Sequence, residues 1–394
     1  MGGFSKLSLP CGVDLHINHL HLHGPRRLPQ TLGTTFGRFP LSWCVPASTV
    51  AAFFQPLNMG TSDMTRTEFA ILGPGALGSI LAAHLAAAGH SVVVLARGER
   101  ARNIKEQGLR IKGLAQISTP VAVITDPSEL RAAEVLIVAT KTPGTEAALD
   151  HLRHVEVDVA FSVQNGVLKD ELLARVFGVQ RVLGAVADTS GELLRSGEVL
   201  FTRNVSLPLG ELAGVAGRAT RIAGMIDAAG VKSCPVADIV AREWSKFTAW
   251  VSLMSLAVVT RSPTWRYLSD PDCALLLVRV TREVAQLAKV QGVTLREEGI
   301  LFPLHTVLEA QEAEAVAAVR ATGERLRLDA PAHRMSSLQD LDAGRPLEVE
   351  ETLGHAALKA SQLNLSLPLL EAFYHLVAGI DRARARTADS AKTS

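Results

Sequence analysis

Apolar runs alternate with helix-like stretches through the middle of the chain. Residues 68–73 (EFAILG) predict a short buried strand. Residues 79–88, rich in Ala and Leu and closed by Gly89, predict a helix. Residues 91–95 (SVVVL), dominated by β-branched side chains, predict a second buried strand. The pattern repeats: strands at 121–125 and 134–140, a helix at 145–152, a strand at 157–163, a helix at 167–176 and a strand at 181–186. Gly210-Glu211-Leu212 closes the region, and 215–229 reads as a helix. Such alternation predicts an α/β fold with a doubly wound sheet, which takes its ligands at the carboxyl ends of the strands.

From about Ala237 the period changes. A long helical pattern covers 237–260 through Trp244, Phe247, Val251 and Leu256, followed by helices at 272–291, 306–322, 348–363 and 368–380. Pro263, Pro303, Pro331 and Pro346 mark the breaks. Four segments follow: 1–65, without sustained period; 66–235, the α/β region; 236–382, all-helical; and 383–394, a polar, flexible tail.

Composition narrows the classes. The chain has 394 residues, 47% hydrophobic, and 40 Lys and Arg against 39 Asp and Glu. That much apolar content suffices for a real core, and the near-zero net charge argues against nucleic acid or an acidic membrane as partner. The apolar stretch 71–96 is broken by glycines and two histidines, and 247–259 is too short for the ~20 residues a spanning helix needs. No membrane span is expected. Cys11, Cys44, Cys234 and Cys273 show no spacing of a disulfide scaffold or zinc module, so a reducing, cytoplasmic setting is expected. The first 63 residues carry Lys6, Arg26, Arg27 and Arg38 against Asp14 and Asp63, with no apolar block of a secretory signal. They read as a disordered leader or a mis-assigned start, with an organelle-targeting peptide as the alternative. His16, His19, His21 and His23 cluster there without acidic or cysteine partners, so no metal site is expected.

The segment Gly73-Pro74-Gly75-Ala76-Leu77-Gly78 matches G-x-G-x-x-G where its mechanism requires it, after a strand and opening a helix. Gly73 permits the tight turn, Gly75 lets a pyrophosphate approach the backbone, and Gly78 allows close helix–strand packing. Free N–H groups and the dipole at the helix start would hold the phosphates. At the end of the second strand, where a NAD site usually places an acid, stands Arg97. A guanidinium there suits a 2′-phosphate, with Arg100 as a possible second contact, so NADP(H) is expected over NAD(H). Lys141 and Asn165 fall at later strand ends, as site residues or as a loop lysine and an Asn-Gly turn.

Lys246 is a lone lysine on the buried-looking helix 237–260, with Trp250 and Met254 at i+4 and i+8. Two readings stand side by side: a snorkelling lysine with its head in water, or an amine whose proton affinity is lowered by an apolar wall. Further on, Glu348 opens a predicted helix, as a capping acid or as a site carboxylate.

From about Thr67 to about Ile380 the chain resembles the ketopantoate reductase (2-dehydropantoate 2-reductase) family. Four segments carry the resemblance in order: ILGPGALG, VQNG, EWSKF and SSLQDLDAGRPLEVE, the last being the most specific. The resemblance implies a Rossmann domain, a helical C-terminal domain and a site in the cleft between them. It implies Lys246 as the catalytic proton donor and Glu348 as the acid binding a substrate hydroxyl. It further implies Ser336 at the substrate carboxylate, Asn165 beside nicotinamide and substrate, Arg97 at the 2′-phosphate, and Lys141 as the lysine after the fourth strand. Two departures bear on substrate. The better-known members carry asparagines four and eight residues after the lysine, where this chain has Trp250 and Met254, and a further asparagine is replaced at Leu353. A wall lacking those polar partners favours a bulkier or less polar substrate.

The leading expectation is an NADPH-dependent reductase of a small-molecule 2-oxo acid, with ketopantoate as default. The second is a paralogue acting on a less polar ketone, imine or 2-oxo acid. The third, from another class, is a non-catalytic NADP(H)-binding module. A homodimer through the helical half is compatible with all three and is specified by no residue pattern.

Overall fold

A computed structural model of the chain describes residues 66–297 and 299–393. The expected leader and its histidine cluster lie outside the described residues. The first half runs β1 (Thr67–Leu72), α1 (Ala76–Ala87), β2 (Val92–Leu95), α2 (Gly98–Gln107), β3 (Leu109–Gly113), β4 (Ile117–Thr119), β5 (Ala122–Ile124), β6 (Ala132–Val138), α3 (Thr145–Asp150), β7 (Glu156–Ser162) and α4 (Leu168–Phe177). It continues with β8 (Leu183–Ala185), β9 (Asp188–Leu193), β10 (Val199–Glu211), α5 (Arg218–Ala228) and β11 (Ser233–Pro235). Five strands form a parallel sheet in the order β5-β2-β1-β6-β7. The order reverses at β1, whose carboxyl end carries the glycine motif, so the switch-point crevice opens there.

Period 2 decides what each strand buries. Phe69, Ile71, Val94, Val135 and Ile137 fill the layer on one face of the sheet. Ala70, Leu72, Val93, Leu136 and Val138 fill the layer on the other. With both faces covered the strands read as continuous apolar runs, which is why they were visible in the sequence.

Of the second sheet only β8 was visible, as the strand expected at 181–186. Strand order β11-β10-β3-β4, with β8 and β9 also on β10, builds a mixed sheet around the 13-residue β10. Its pairing with β9 slips between Phe201 and Arg203 and again between Asn204 and Ser206. This sheet sets the seat of the next helix. A Cβ on Gly210 would lie 2.5 Å from Cβ of Ile239, so glycine lets the start of α6 close onto β10.

The second half is helical: α6 (Ile239–Thr260), α7 (Thr264–Ser269), α8 (Pro271–Val290), α9 (Leu304–Glu309), α10 (Glu312–Asp329), α11 (Ser336–Asp342), α12 (His355–Gln362) and α13 (Pro368–Thr393). Asp270 caps α8, accepting from the N–H groups of Asp272 and Cys273. Buried faces of α6, α8, α10 and α13 share one core around Phe247, Leu253, Leu277, Val284 and Val377. Three expectations change. The helix expected at 306–322 is two, broken at Ala310–Gln311. Glu348 does not open a helix but precedes a π-helical turn, Glu350–Gly354, before α12. The segment 383–394, expected as a flexible tail, continues α13 to Thr393. Cys273 is a free thiol. Among the described residues no helix is long and apolar enough to cross a membrane.

Candidate active site

Two cavities lie at the strand ends. The larger, about 450 Å³, is lined by Gly73, Pro74 and Gly75 after β1, Ala96 and Arg97 after β2, Thr125 and Asp126 after β5, and Thr140 after β6. Its size and place suit part of a dinucleotide. Gly73 has φ +87°, and a Cβ there would meet Cγ2 of Thr140 at 2.4 Å. A Cβ on Gly78 would strike the Gly73 carbonyl oxygen at 2.4 Å and Cβ of Ala139 at 2.9 Å, so this glycine serves helix–strand packing. A Cβ on Gly75 would meet nothing within 4 Å. Gly75 is the N-cap of α1 and makes no side-chain cap, so the N–H groups of Ala76, Leu77 and Gly78 in the first turn stand ready for an anion.

Arg97 is exposed, forms the N-cap position of α2 and borders this cavity. Arg100 lines the same cavity and has a further task. Its guanidinium donates to the Pro74 carbonyl at 2.8 Å, the Gly197 carbonyl at 2.7 Å and Ser79 Oγ at 2.7 Å. Burial pulls its pKa down to about 10. Arg100 therefore braces the glycine turn from behind and keeps one guanidinium N–H uncommitted among the described residues.

The smaller cavity, about 10 Å³, is lined by Gln164, Asn165 and Gly166 after β7, Lys169 on α4, Ala185 and Val186 after β8, and Glu243, Lys246, Phe247 and Trp250 on α6. Lys246 is turned inward: its Nζ donates to the Ala187 carbonyl at 2.8 Å. Burial pulls its pKa down to about 8. The Lys169 charge acts in the same direction, while Asp188, Glu348 and Glu243 oppose it. A lysine near 8 holds a proton at neutral pH and releases it readily.

Glu348 sits at the junction of the halves and is only 6% exposed. Its Oε1 accepts from the Thr142 backbone N–H at 3.2 Å and its Oε2 from Asn165 Nδ2 at 3.3 Å. Lys141 Nζ lies 3.7 Å from Oε2 and donates to Asp340 Oδ2 at 2.6 Å. Burial works to lower the Lys141 pKa, but the charges of Glu348 and Asp340 outweigh it and the net movement is upward. Asp340 in turn holds Arg345, whose Nε donates to Oδ1 at 2.7 Å. Residues from β6–α3, β7–α4, α11 and the loop before the π-helical turn thus meet around two buried carboxylates.

The expected site residues separate into groups. Lys246, Asn165 and Trp250 line one cavity, and Asn165, Glu348 and Lys141 share one network. Gly73, Gly75 and Arg97 border the larger cavity, and Ala76, Leu77 and Gly78 form the turn beside it. Ser336 is exposed at the first position of α11, one turn before Asp340. Met254 is fully buried in the helical core and is not among the residues lining the small cavity. Sequence reasoning missed Lys169, Glu243, Thr142 and Asp340. The available signal for Glu243 was its place one turn before Lys246 on an otherwise apolar helix. For Lys169 there was none beyond its nearness to Asn165. Thr142 acts through its backbone, which no residue type announces.

Comparison with known proteins places this geometry. The family models described as ketopantoate reductase PanE/ApbA and ketopantoate reductase PanE/ApbA C terminal match residues 69–214 and 238–381. A 2-dehydropantoate 2-reductase of Archaeoglobus fulgidus is 28% identical over 312 residues, covering 79% of this chain and 97% of its own. Among solved structures, a PanE/ApbA family ketopantoate reductase from Ralstonia eutropha JMP134 aligns with TM-score 0.69 at 22% identity, over 81% of this chain and 99% of its own. A D-mandelate dehydrogenase, solved with NADH and anilino(oxo)acetate, aligns with TM-score 0.68 at 17% identity, over 81% and 99%. Both structures speak for the fold: a Rossmann sheet followed by a helical domain.

Proposed function

The chain belongs to the ketopantoate reductase family, an oxidoreductase family acting on CH–OH groups, and from that premise we propose that it reduces a 2-oxo acid to the 2-hydroxy acid with NADPH, 2-dehydropantoate to pantoate being the default reaction. The observation that carries the reading is the setting of Lys246: an inward-facing amine with pKa near 8, in one cavity with Asn165, whose amide is tied to the buried Glu348.

The residues present fit the cofactor. The first turn of α1 offers uncapped N–H groups, the space over Gly75 is open, and Arg97 stands at the end of β2 where a 2′-phosphate would need a cation. When bound, the dihydronicotinamide supplies hydride to the carbonyl carbon. Lys246 gives its proton to the carbonyl oxygen as negative charge develops there. The Ala187 carbonyl aims the ammonium, and Glu348 and Asn165 hold each other in position for the substrate's polar groups. Ser336, at the first turn of α11, would meet the substrate carboxylate. A turnover assay with ketopantoate and NADPH, repeated with NADH and with Lys246→Ala, tests the reading. We expect NADPH-selective turnover that Lys246→Ala lowers by about 10²–10⁴-fold while NADPH binding persists. Equal turnover in the variant overturns it.

Trp250 favours a second reading, a less polar 2-oxo acid, ketone or imine. Its indole is 6% exposed and lines the cavity one turn after Lys246, next to Phe247. An indole and a phenyl in that wall offer little hydrogen bonding to a hydroxylated chain. A substrate panel read by NADPH consumption separates the two.

A further inference from the structure

Beneath the Lys246 cavity lies a set of charges that the reaction above does not use. Lys169, in the first turns of α4, is among the most buried charged groups of the fold, its side chain 3% exposed, and it lines the same cavity as Lys246. Its ammonium donates to Oε1 of Glu243 and, at 3.2 Å, to Oδ1 of Asp170. Glu243 is 5% exposed at its side chain, and the same Oε1 accepts the Ala185 backbone N–H at 2.9 Å. Glu243 stands three residues before Lys246 on α6, so the two side chains share a helix face. The clamp therefore links α4, the end of β8 and α6 at the point from which the Lys246 side chain departs. Burying an ion pair this deeply seldom adds stability over apolar packing of equal volume, so its presence asks for another reason.

We propose that Lys169, clamped by Glu243 and Asp170, is a positioning residue for the reductase: it fixes the turn of α6 that carries Lys246 and sets a permanent positive charge beside that amine, so that Lys246 gives up its proton readily. This rests on Lys246 being the proton donor.

The surrounding charges are consistent with it. Burial lowers the proton affinity of Lys246 first, and Lys169 is the cation acting in the same direction. The groups acting the other way face Lys246 from three elements: Asp188 at the start of β9, itself held by Arg203; Glu348 before the π-helical turn, beside Lys141; and Glu243 on α6. Lys169 keeps its own proton despite the burial that opposes it, because Asp170 and Glu243 both face it. Burial, and then the neighbouring Asp170 charge, push the Glu243 carboxyl upward.

The test measures Lys246 directly, without turnover. Trace acetylation across pH, quantified at Lys246 by peptide mass spectrometry, gives the titration of that one amine in the full-length protein. Wild type is expected to titrate near 8. Lys169→Gln, which keeps hydrogen bonds to the clamp but loses the charge, should raise the midpoint by about one pH unit, tenfold in acid strength. Lys169→Arg should stay near wild type, and Glu243→Gln should leave the midpoint unmoved or lower it. A packing defect alone does not separate variants by the sign of the charge removed. The inference is overturned if Lys169→Gln leaves the midpoint in place, or if Glu243→Gln raises it; the second arm stands even if the first variant does not fold. In parallel, the pH profile of 2-oxo acid reduction reports on the premise. If Lys246→Ala retains turnover, the proton-donor reading fails, whatever the titrations show.

Discussion

At the level of single residues, the site depends on where one proton and one phosphate are held. On the proposed mechanism Lys246 donates as the ammonium, so raising pH through its pKa of about 8 would remove the active form. Carbonyl reduction should fall about tenfold per pH unit above that midpoint, while the reverse oxidation, which uses the free amine as base, should gain over the same range. Initial rates in both directions between pH 6 and 10 check the sign; parallel profiles would remove Lys246 from the proton step. The two motif glycines should fail differently. Gly78→Ala drives a methyl into the Gly73 carbonyl and should destabilise the fold by about 1–3 kcal/mol. Gly75→Ala meets no protein atom, so it should fold normally and lose affinity for the dinucleotide. Thermal denaturation beside cofactor titration separates the two. Arg97→Ala should weaken NADPH by about 10–100-fold, the worth of a charge-assisted hydrogen bond, and leave NADH nearly unchanged. A uniform loss for both cofactors would place Arg97 elsewhere.

At the level of elements, legibility followed burial. Strands covered on both faces announced themselves as apolar runs, and β1, β2, β6 and β7 stand within two residues of expectation. β3, β4 and β9 are short, partly exposed and polar at alternate positions, as in Leu-Arg-Ile-Lys-Gly of β3; β4 pairs the neighbouring β3 and β9 the neighbouring β10, but β3 meets β10 only some 90 residues on. No local pattern encodes that. α6 was readable because its apolar positions wrap most of its circumference, but that same wrapping hid which face meets the site. Trp250 proved to line the cavity and Met254 to belong to the core, although both follow Lys246 at helical spacing. Of the two positions, Trp250 is therefore the one to reveal specificity. Trp250→Asn should shift the ratio of kcat/KM between ketopantoate and an apolar 2-oxo acid toward ketopantoate. A ratio is the right measure because the substitution also removes a buried indole, and loss of folded protein cancels. An unmoved ratio would show that the indole does not touch substrate.

Taken as a whole molecule, the site is also a latch. The cavity at Lys246, about 10 Å³, is smaller than a 2-oxo acid, so the proposed reaction requires the two halves to part for substrate to enter. What holds them together there is known by residue: Lys141 on Asp340 and Glu348, Thr142 on Glu348 and Glu351, and Asn165 on Glu348. A second tie, Lys359 to Glu171 at 2.7 Å between α12 and α4, lies nearer solvent. The two should differ in weight. Asp340 is 3% exposed and serves both Lys141 and Arg345, so Asp340→Asn removes a buried charge from a shared pair. Since both cations remain half-exposed and water relieves part of the loss, the cost should be about 2 kcal/mol, or some 30-fold in kcat/KM. Lys359→Met breaks a partly solvated bridge and should cost under about 1 kcal/mol. If, as the proposed mechanism requires, closure gathers Lys246, Asn165 and Glu348 around the substrate, the Asp340→Asn loss should appear mainly in KM, with NADPH affinity measured separately by fluorescence titration. Equal effects from the two variants would mean that the halves are held by their apolar contact alone and that the buried carboxylates serve the substrate without serving closure.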